Sequence, residues 1–220
     1  MPRIEAFATA AEAVKAAAEA ITGGLTDAVA SRGRASFAGS GGGTPGPVYD
    51  RLSGADIPWS RISVTLTDER WVEVGSPESN TRLIRERLFV GAAGAAAFVP
   101  LKSGEVSEAS AVAQAEAKVA PITPFNAVLL GMGEDGHIAS LFPGSSALDA
   151  QGLVAWVPAA KPAPALPRLT LTFGALNASR LTVLLITGPK KREILEAGSD
   201  RPVHRHLARV DQPVRVLWAP

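Results

Sequence analysis

The chain of 220 residues contains no cysteine. That absence excludes disulfides, a thiolate nucleophile and any cysteine-ligated metal site, and makes an intracellular protein the simplest reading. Long apolar runs are missing too. None reaches the roughly eighteen residues that a bilayer-spanning helix needs. Residues 1–30 carry Glu5, Glu12, Glu19 and Asp27, so no uncharged apolar core of signal-peptide type is present. Charge of one sign is equally scarce. Twenty-two Lys and Arg face 21 Asp and Glu, for a net charge of +1, which gives no footing for nucleic acid or a membrane surface. A soluble, cytoplasmic protein is expected. The three histidines show no H-E-x-x-H spacing, no Gly-x-Ser-x-Gly elbow exists, and no helix-turn-helix is appended.

Hydrophobic residues make up 46% and charged residues 20% of the chain, ordinary values for a globular protein. Neither an internal repeat nor a low-complexity linker divides it, and residues 1–220 read as one domain. An alanine-rich helix is expected from about Ala6 to Ala30, with Gly23-Gly24 ending or kinking it. Strands are expected over Ala35–Gly39, Ile62–Leu66, Phe98–Leu101, Leu153–Val157, Leu169–Phe173, Leu181–Ile186 and Val214–Trp218. Helices should follow Pro45, Ser79, Ser107 and Pro189, and the proline-rich segment 161–167 should be a loop. Strands alternating with helices imply an α/β fold with a mostly parallel sheet. Residues 75–121 could be an elaboration on that sheet.

Val128 to Gly144 reads as a buried strand, a tight loop at its C-terminal end and a short helix. Ligands of open α/β sheets bind at the carboxyl ends of strands, which is where Asp135 and His137 fall. An imidazole of ordinary pKa near 6.5 suits proton transfer at neutral pH, although a histidine satisfied inside the fold accounts for His137 equally well. Asp135 could orient the ring, yet Asp-Gly is also common turn chemistry. Ser40 to Gly46 follows a strand and precedes a helix. It is a candidate anion loop or a packing turn, and no Walker Gly-Lys-Ser/Thr follows it. Asp68-Glu69-Arg70 also follows a strand, as a solvated charge cluster or part of a site. His204 and His206 lie in the basic stretch 201–209 and read as surface residues. Lys161, Arg168, Lys190, Lys191 and Arg192 are candidate phosphate cations or ordinary surface charges.

Ser40-Gly41-Gly42-Gly43-Thr44-Pro45, then Asp68-Glu69-Arg70-Trp71-Val72, Ser79-Asn80 and the segment from Gly131 to Gly144 occur in that order. Together they resemble the glucosamine-6-phosphate isomerase/6-phosphogluconolactonase family, across about Ala6 to Trp218. The resemblance implies a Rossmann-like three-layer α/β/α sandwich of the NagB/RpiA/CoA transferase-like kind. It implies hydrolysis of 6-phospho-D-glucono-1,5-lactone, with neither a metal nor an organic cofactor, no nucleic acid or membrane partner, and a monomer or small homo-oligomer. The deaminases of this family continue Phe-Asn-Glu-Pro after the histidine motif. Here Ser140-Leu141-Phe142-Pro143 stands instead, and no carboxylate takes the glutamate's place. A deaminase or isomerase, and a non-catalytic sugar-phosphate sensor, are the alternatives.

By the same resemblance His137 is the general base, Asp135 orients it, and Arg70 or amides near Gly42 and Gly43 stabilise the oxyanion. The 6-phosphate would sit against Ser40, Gly41, Gly42, Gly43 and Thr44, with Arg168, Lys191 and Lys161 as cations and Asp68 in the binding set. Lys161 and Arg168 stand slightly further apart than in the family's Lys-Pro-Pro-Pro-x-Arg-x-Thr segment. Lys190 adjoins Lys191 as a rival.

Overall fold

The computed structural model describes residues 3–104, 106–159, 165–210 and 212–220. Lys161 and most of the proline-rich segment fall outside them. Seven strands form one parallel sheet in the order β1 (Ile4–Ala6), β10 (Val214–Ala219), β9 (Thr182–Thr187), β6 (Ala127–Leu130), β2 (Ala35–Gly39), β3 (Ile62–Leu66) and β5 (Ala97–Phe98). From β2 the chain steps one way to β3 and β5. From β6 it steps the other way to β9 and β10. The β2/β6 boundary is therefore the topological switch point, where an open parallel sheet leaves a crevice at its carboxyl ends.

The central strands are buried on both faces, as a parallel sheet covered by helices requires. The first helix, α1 (Ala10–Arg32), starts at a Thr9–Glu12 capping box and ends at Gly33 in the left-handed region. Ala13, Ala17, Ile21, Leu25 and Ala28 form its buried stripe. The expected break at Gly23-Gly24 is not there. A Cβ on Gly24 would come within 3.3 Å of Leu181 Cδ2, so this glycine lets the helix lie close to the sheet instead of ending it. The shorter helices are α2 (Gly46–Ser53), α3 (Asn80–Arg87), α4 (Glu108–Val119), α5 (Phe173–Asn177), α6 (Pro189–Glu196) and α7 (Pro202–Arg209).

A separate antiparallel sheet runs in the order β4 (Asp68–Arg70), β8 (Arg168–Leu171), β7 (Val154–Val157). The strands expected near 153 and 169 are thus present but belong to this smaller sheet. The short helix expected directly after the His137 loop is absent. Residues 138–141 form a tight turn closed by the Ile138–Leu141 bridge.

The two C-terminal histidines correct the sequence reading. Neither is a surface residue, because α7 turns both inward. His204 is 8% exposed and lies 3.0 Å from the Leu195 carbonyl, while His206 is 1% exposed with Nδ1 on Asn177 Oδ1. Burial pushes the His206 pKa down to about 4. Its unfolded value is about 6.5, so between these values the unfolded chain binds the extra proton. Stability is complete above about pH 6.5 and falls as pH drops, levelling off below about 4. We expect a loss of roughly 2–3 kcal/mol between pH 7 and 4.5 from this group. Denaturant unfolding at both pH values should show that loss in wild type and not in His206→Gln. Parallel pH dependences would refute it.

Candidate active site

Strands β9, β6, β2 and β3 are neighbours in the parallel sheet, so their C-terminal loops meet at one end. Together with β4 and β8 they surround a cavity of about 230 Å³. The β2 loop contributes Ser40 to Pro45, the β6 loop contributes Gly131, Met132, Gly133, His137 and Ala139, and α6 contributes Lys191. Asp68 and Arg70 come from β4, Arg168 from β8 and Asn80 from the start of α3. The described residues that the resemblance assigned to the site all line this cavity except Asp135, which stands behind His137; of the other candidate cations, Lys190 and Arg192 do not line it.

His137 Nδ1 lies 2.6 Å from Asp135 Oδ1, and the His137 amide donates to the same oxygen at 3.1 Å. An ionised carboxylate only accepts, so in the neutral ring Nδ1 carries the proton and Nε2 keeps its lone pair. Partial burial pushes the Asp135 carboxyl up. The His137 amide, imidazole charge and ring hydrogen bond together outweigh that and hold it below the usual range. The loop is shaped by a close approach. Gly133 N donates to the His137 carbonyl at 3.0 Å, and a Cβ on Gly133 would fall 2.2 Å from the imidazole Nδ1. Ala139, also on the cavity wall, holds a φ of +50°, a conformation costing a non-glycine residue about 1–2 kcal/mol.

A buried polar floor lies beneath. Ser140 Oγ donates to Asp68 Oδ2 at 2.6 Å, and Ser140 N donates to Thr170 Oγ1. Ser40 Oγ donates to the Leu129 carbonyl and lies 2.9 Å from Thr67 Oγ1. Tyr49 donates its hydroxyl to the Ser40 carbonyl, and burial, then the Asp68 charge, push its pKa up. Sequence reasoning left Asp68-Glu69 open as a solvated cluster, but both are buried. Glu69 accepts from the amides of Arg70, Asn80 and Thr81 and from the Ser79 hydroxyl. A carboxylate at the positive end of α3 is electrostatically favoured. It also fixes Asn80, whose Nδ2 donates to the Asp68 carbonyl. In the sequence Asn80 was legible at a helix start and as part of the Ser79-Asn80 motif, with no role of its own. Its amide packs so closely under the glycine loop that a Cβ on Gly41 would overlap it, at 1.9 Å from Oδ1.

Three cations among the described residues face the cavity. Arg70 and Arg168 are direct partners across the β4–β8 ladder. Arg70 Nη1 donates to the Glu78 carbonyl at 2.6 Å. Arg168 Nη1 lies 3.4 Å from Ser140 Oγ and 3.9 Å from Asp68 Oδ2. Burial pulls the Arg168 pKa below the ordinary guanidinium value, against the opposing effect of Asp68. Lys190 pairs with Glu134 at the surface, whereas Lys191 lines the cavity with no carboxylate partner among the described residues.

Residues 8–218 match the family described as glucosamine-6-phosphate isomerases/6-phosphogluconolactonase. The chain belongs to this family. A 6-phosphogluconolactonase of Caulobacter vibrioides is 47% identical over 99% of this chain and 97% of its own length. One from Rhizobium meliloti is 38% identical over 94% of each. The crystal structure of a 6-phosphogluconolactonase from Shewanella baltica superposes with a TM-score of 0.93 at 34% identity, covering 100% of this chain and 98% of the other.

Within the family frame, Ser140 and Phe142 acquire definite contacts. Ser140 holds Asp68, as above. The Phe142 ring lies 4.5 Å from the His137 ring, and the Arg168 guanidinium sits over its face at 5.2 Å. Sequence reading used these positions only for the carboxylate they lack.

Gly133→Ala should force the imidazole off Asp135 while the fold survives. We expect the His137 Nδ1 proton resonance to leave its hydrogen-bonded position in NMR spectra, with folding stability within about 1 kcal/mol of wild type for a loop substitution. An unchanged resonance would show that the loop yields instead.

Proposed function

We propose that this chain hydrolyses 6-phospho-D-glucono-1,5-lactone to 6-phospho-D-gluconate, as a carboxylic ester hydrolase at the second step of the oxidative pentose phosphate pathway. The observation that carries the reading is His137, with Nδ1 bonded to Asp135 and Nε2 without a protein partner among the described residues, on a cavity wall that also presents Arg70, Arg168 and Lys191. A lactone is an activated ester. Water gives a proton to Nε2 as its oxygen attacks the carbonyl carbon, and a tetrahedral oxyanion forms. Arg70, whose Nη2 has no protein partner among the described residues, and the amides of Gly42 and Gly43 are the donors for that charge. Collapse breaks the bond to the ring oxygen, which takes the proton back from the imidazolium. Asp135 stabilises the imidazolium between these transfers.

The 6-phosphate lies against Ser40, Gly41 and Thr44, with Lys191 and Arg168 as counter-charges, and Asp68 accepts from a sugar hydroxyl. Lys161 stays a candidate cation outside the described residues. The enzyme acts in the cytoplasm as a monomer or small homo-oligomer. No helix among the described residues is long and apolar enough to cross a membrane.

Two variants test the assignment, with lactone generated in place by a glucose-6-phosphate dehydrogenase. His137→Gln should lower kcat roughly 10²–10⁴-fold. Near-wild-type turnover above the spontaneous rate would remove His137 from the base role. Lys191→Ala should instead raise KM by roughly one to two orders of magnitude, the worth of a charged hydrogen bond, with kcat little changed. A KM that does not move would place the phosphate elsewhere. Glucosamine 6-phosphate offered in parallel should release no ammonia.

A further inference from the structure

The four strands that carry the catalytic loops begin together at the opposite end of the sheet, and a second polar groove opens there. Arg34 and Ser36 stand at the start of β2, Arg61 and Ser63 at the start of β3, Asn126 just before β6 and Arg180 just before β9. Arg32 adds a further cation from the last turn of α1. The groove has a volume of about 330 Å³ around Arg32, Arg34, Asn126 and Arg180. It runs on into a second lobe that shares Arg32, Arg34 and Ser63 and adds Arg61. No carboxylate lines either lobe.

Two independent observations mark this place as built for an anion. The first is charge. None of the four guanidiniums has a carboxylate within 4.0 Å among the described residues, and unlike Arg51 and Arg209, which also lack one, the four line a common groove. The negative end of the α1 dipole accounts for Arg32, but Arg61 and Arg180 lie on other elements. The second is Asn126. Its side chain is only 7% exposed, and Oδ1 accepts the Ser36 amide at 2.8 Å, which fixes the orientation of the amide group. Nδ2 has no protein partner among the described residues and belongs to a residue of the groove wall. That donor opens onto the groove and is oriented to give a hydrogen bond to a ligand oxygen there.

We propose that this groove is a second anion site, separate from the catalytic cavity, and that it takes a small molecule bearing a diphosphate or longer oligophosphate group. Guanidinium forks match phosphate oxygens in bidentate geometry, and two joined lobes provide for two phosphoryl groups. One contacts Arg34, Arg180 and the Asn126 amide, and the other contacts Arg61 and Arg32. Because the site lies across the sheet from His137, its ligand does not displace the lactone.

Inorganic pyrophosphate is the probe, titrated at low ionic strength into the full chain with site-resolved NMR as readout. The Asn126 side-chain amide and the Ser63 backbone amide should shift and saturate. Arg34→Gln/Arg180→Gln should raise the Kd read at Asn126 at least about tenfold, the effect of one charged hydrogen bond, while lactone hydrolysis stays at the wild-type rate. Arg51→Gln/Arg209→Gln removes the same charge from unpaired arginines elsewhere and should leave that Kd unchanged. The proposal falls if Asn126 does not respond to millimolar pyrophosphate while catalytic-loop amides do, or if both double variants weaken binding equally. Because hydrolysis is measured separately, its presence or absence tests the catalytic reading alone.

Discussion

The hydrogen bond from Ser140 to Asp68 holds the site together. Asp68 is a buried carboxylate, and an unpaired charge in that position would be strongly unfavourable. Its Oδ2 accepts from Ser140 and faces Arg168, its Oδ1 lies near Thr67, and its backbone carbonyl accepts from Asn80. One residue thereby joins the end of β3, the catalytic loop, the smaller sheet and the start of α3. None of these segments can move alone without stranding the charge. The loop carrying His137 is thus fixed by a contact three residues beyond the histidine.

The antiparallel sheet makes sense on the same terms. The β4–β8 pairing sets Arg70 opposite Arg168, and two guanidiniums side by side repel. Asp68 and Glu78 offset that repulsion. In the proposed binding mode the substrate's phosphate completes the compensation. Lys191 adds a third positive charge from the α6 terminus, where backbone amides already favour an anion. Binding charge therefore comes from three elements. The proposed proton-transfer pair, His137 and Asp135, stands on the β6 loop alone.

The strands flanking the site were legible because the chain alternates apolar and polar residues or runs apolar for a strand's length. Ser40–Thr44 and Asp135–His137 were legible because glycine-rich turns at strand ends are where ligands approach. The polar floor was not. Ser140, Thr67 and Thr170 are ordinary residues until the fold brings them together across long stretches of chain. Likewise Glu69 was left open between a surface acid and part of a site, and only its three donors at the start of α3, with the Arg70 amide, explain its burial. In 201–209 the arginines dominated the reading. Pro202 at the helix start and the inward spacing of Val203, His204 and His206 were the better signal. Gly23-Gly24 misled for the converse reason. A glycine pair weakens an isolated helix, but packing against Leu181 favours the small residue.

The position of Phe142 shows what a substitution within one family can change. In the deaminase pattern a glutamate stands there, available for proton transfer. Here an aromatic ring packs against one side of the His137 imidazole and carries the Arg168 cation on its face. No side chain in that place can take up or release a proton. With Nδ1 committed to Asp135, Nε2 is left as the exchangeable position beside the cavity. One basic nitrogen suffices for ester hydrolysis, since the proton taken from water is the one returned to the ring oxygen. An amino-sugar isomerisation moves protons at more than one atom and would need a second group. The replacement of a carboxylate by a ring therefore narrows the chemistry that the loop can perform. It also strengthens the packing that holds His137 and Arg168 in place, so specificity and rigidity come from the same side chain.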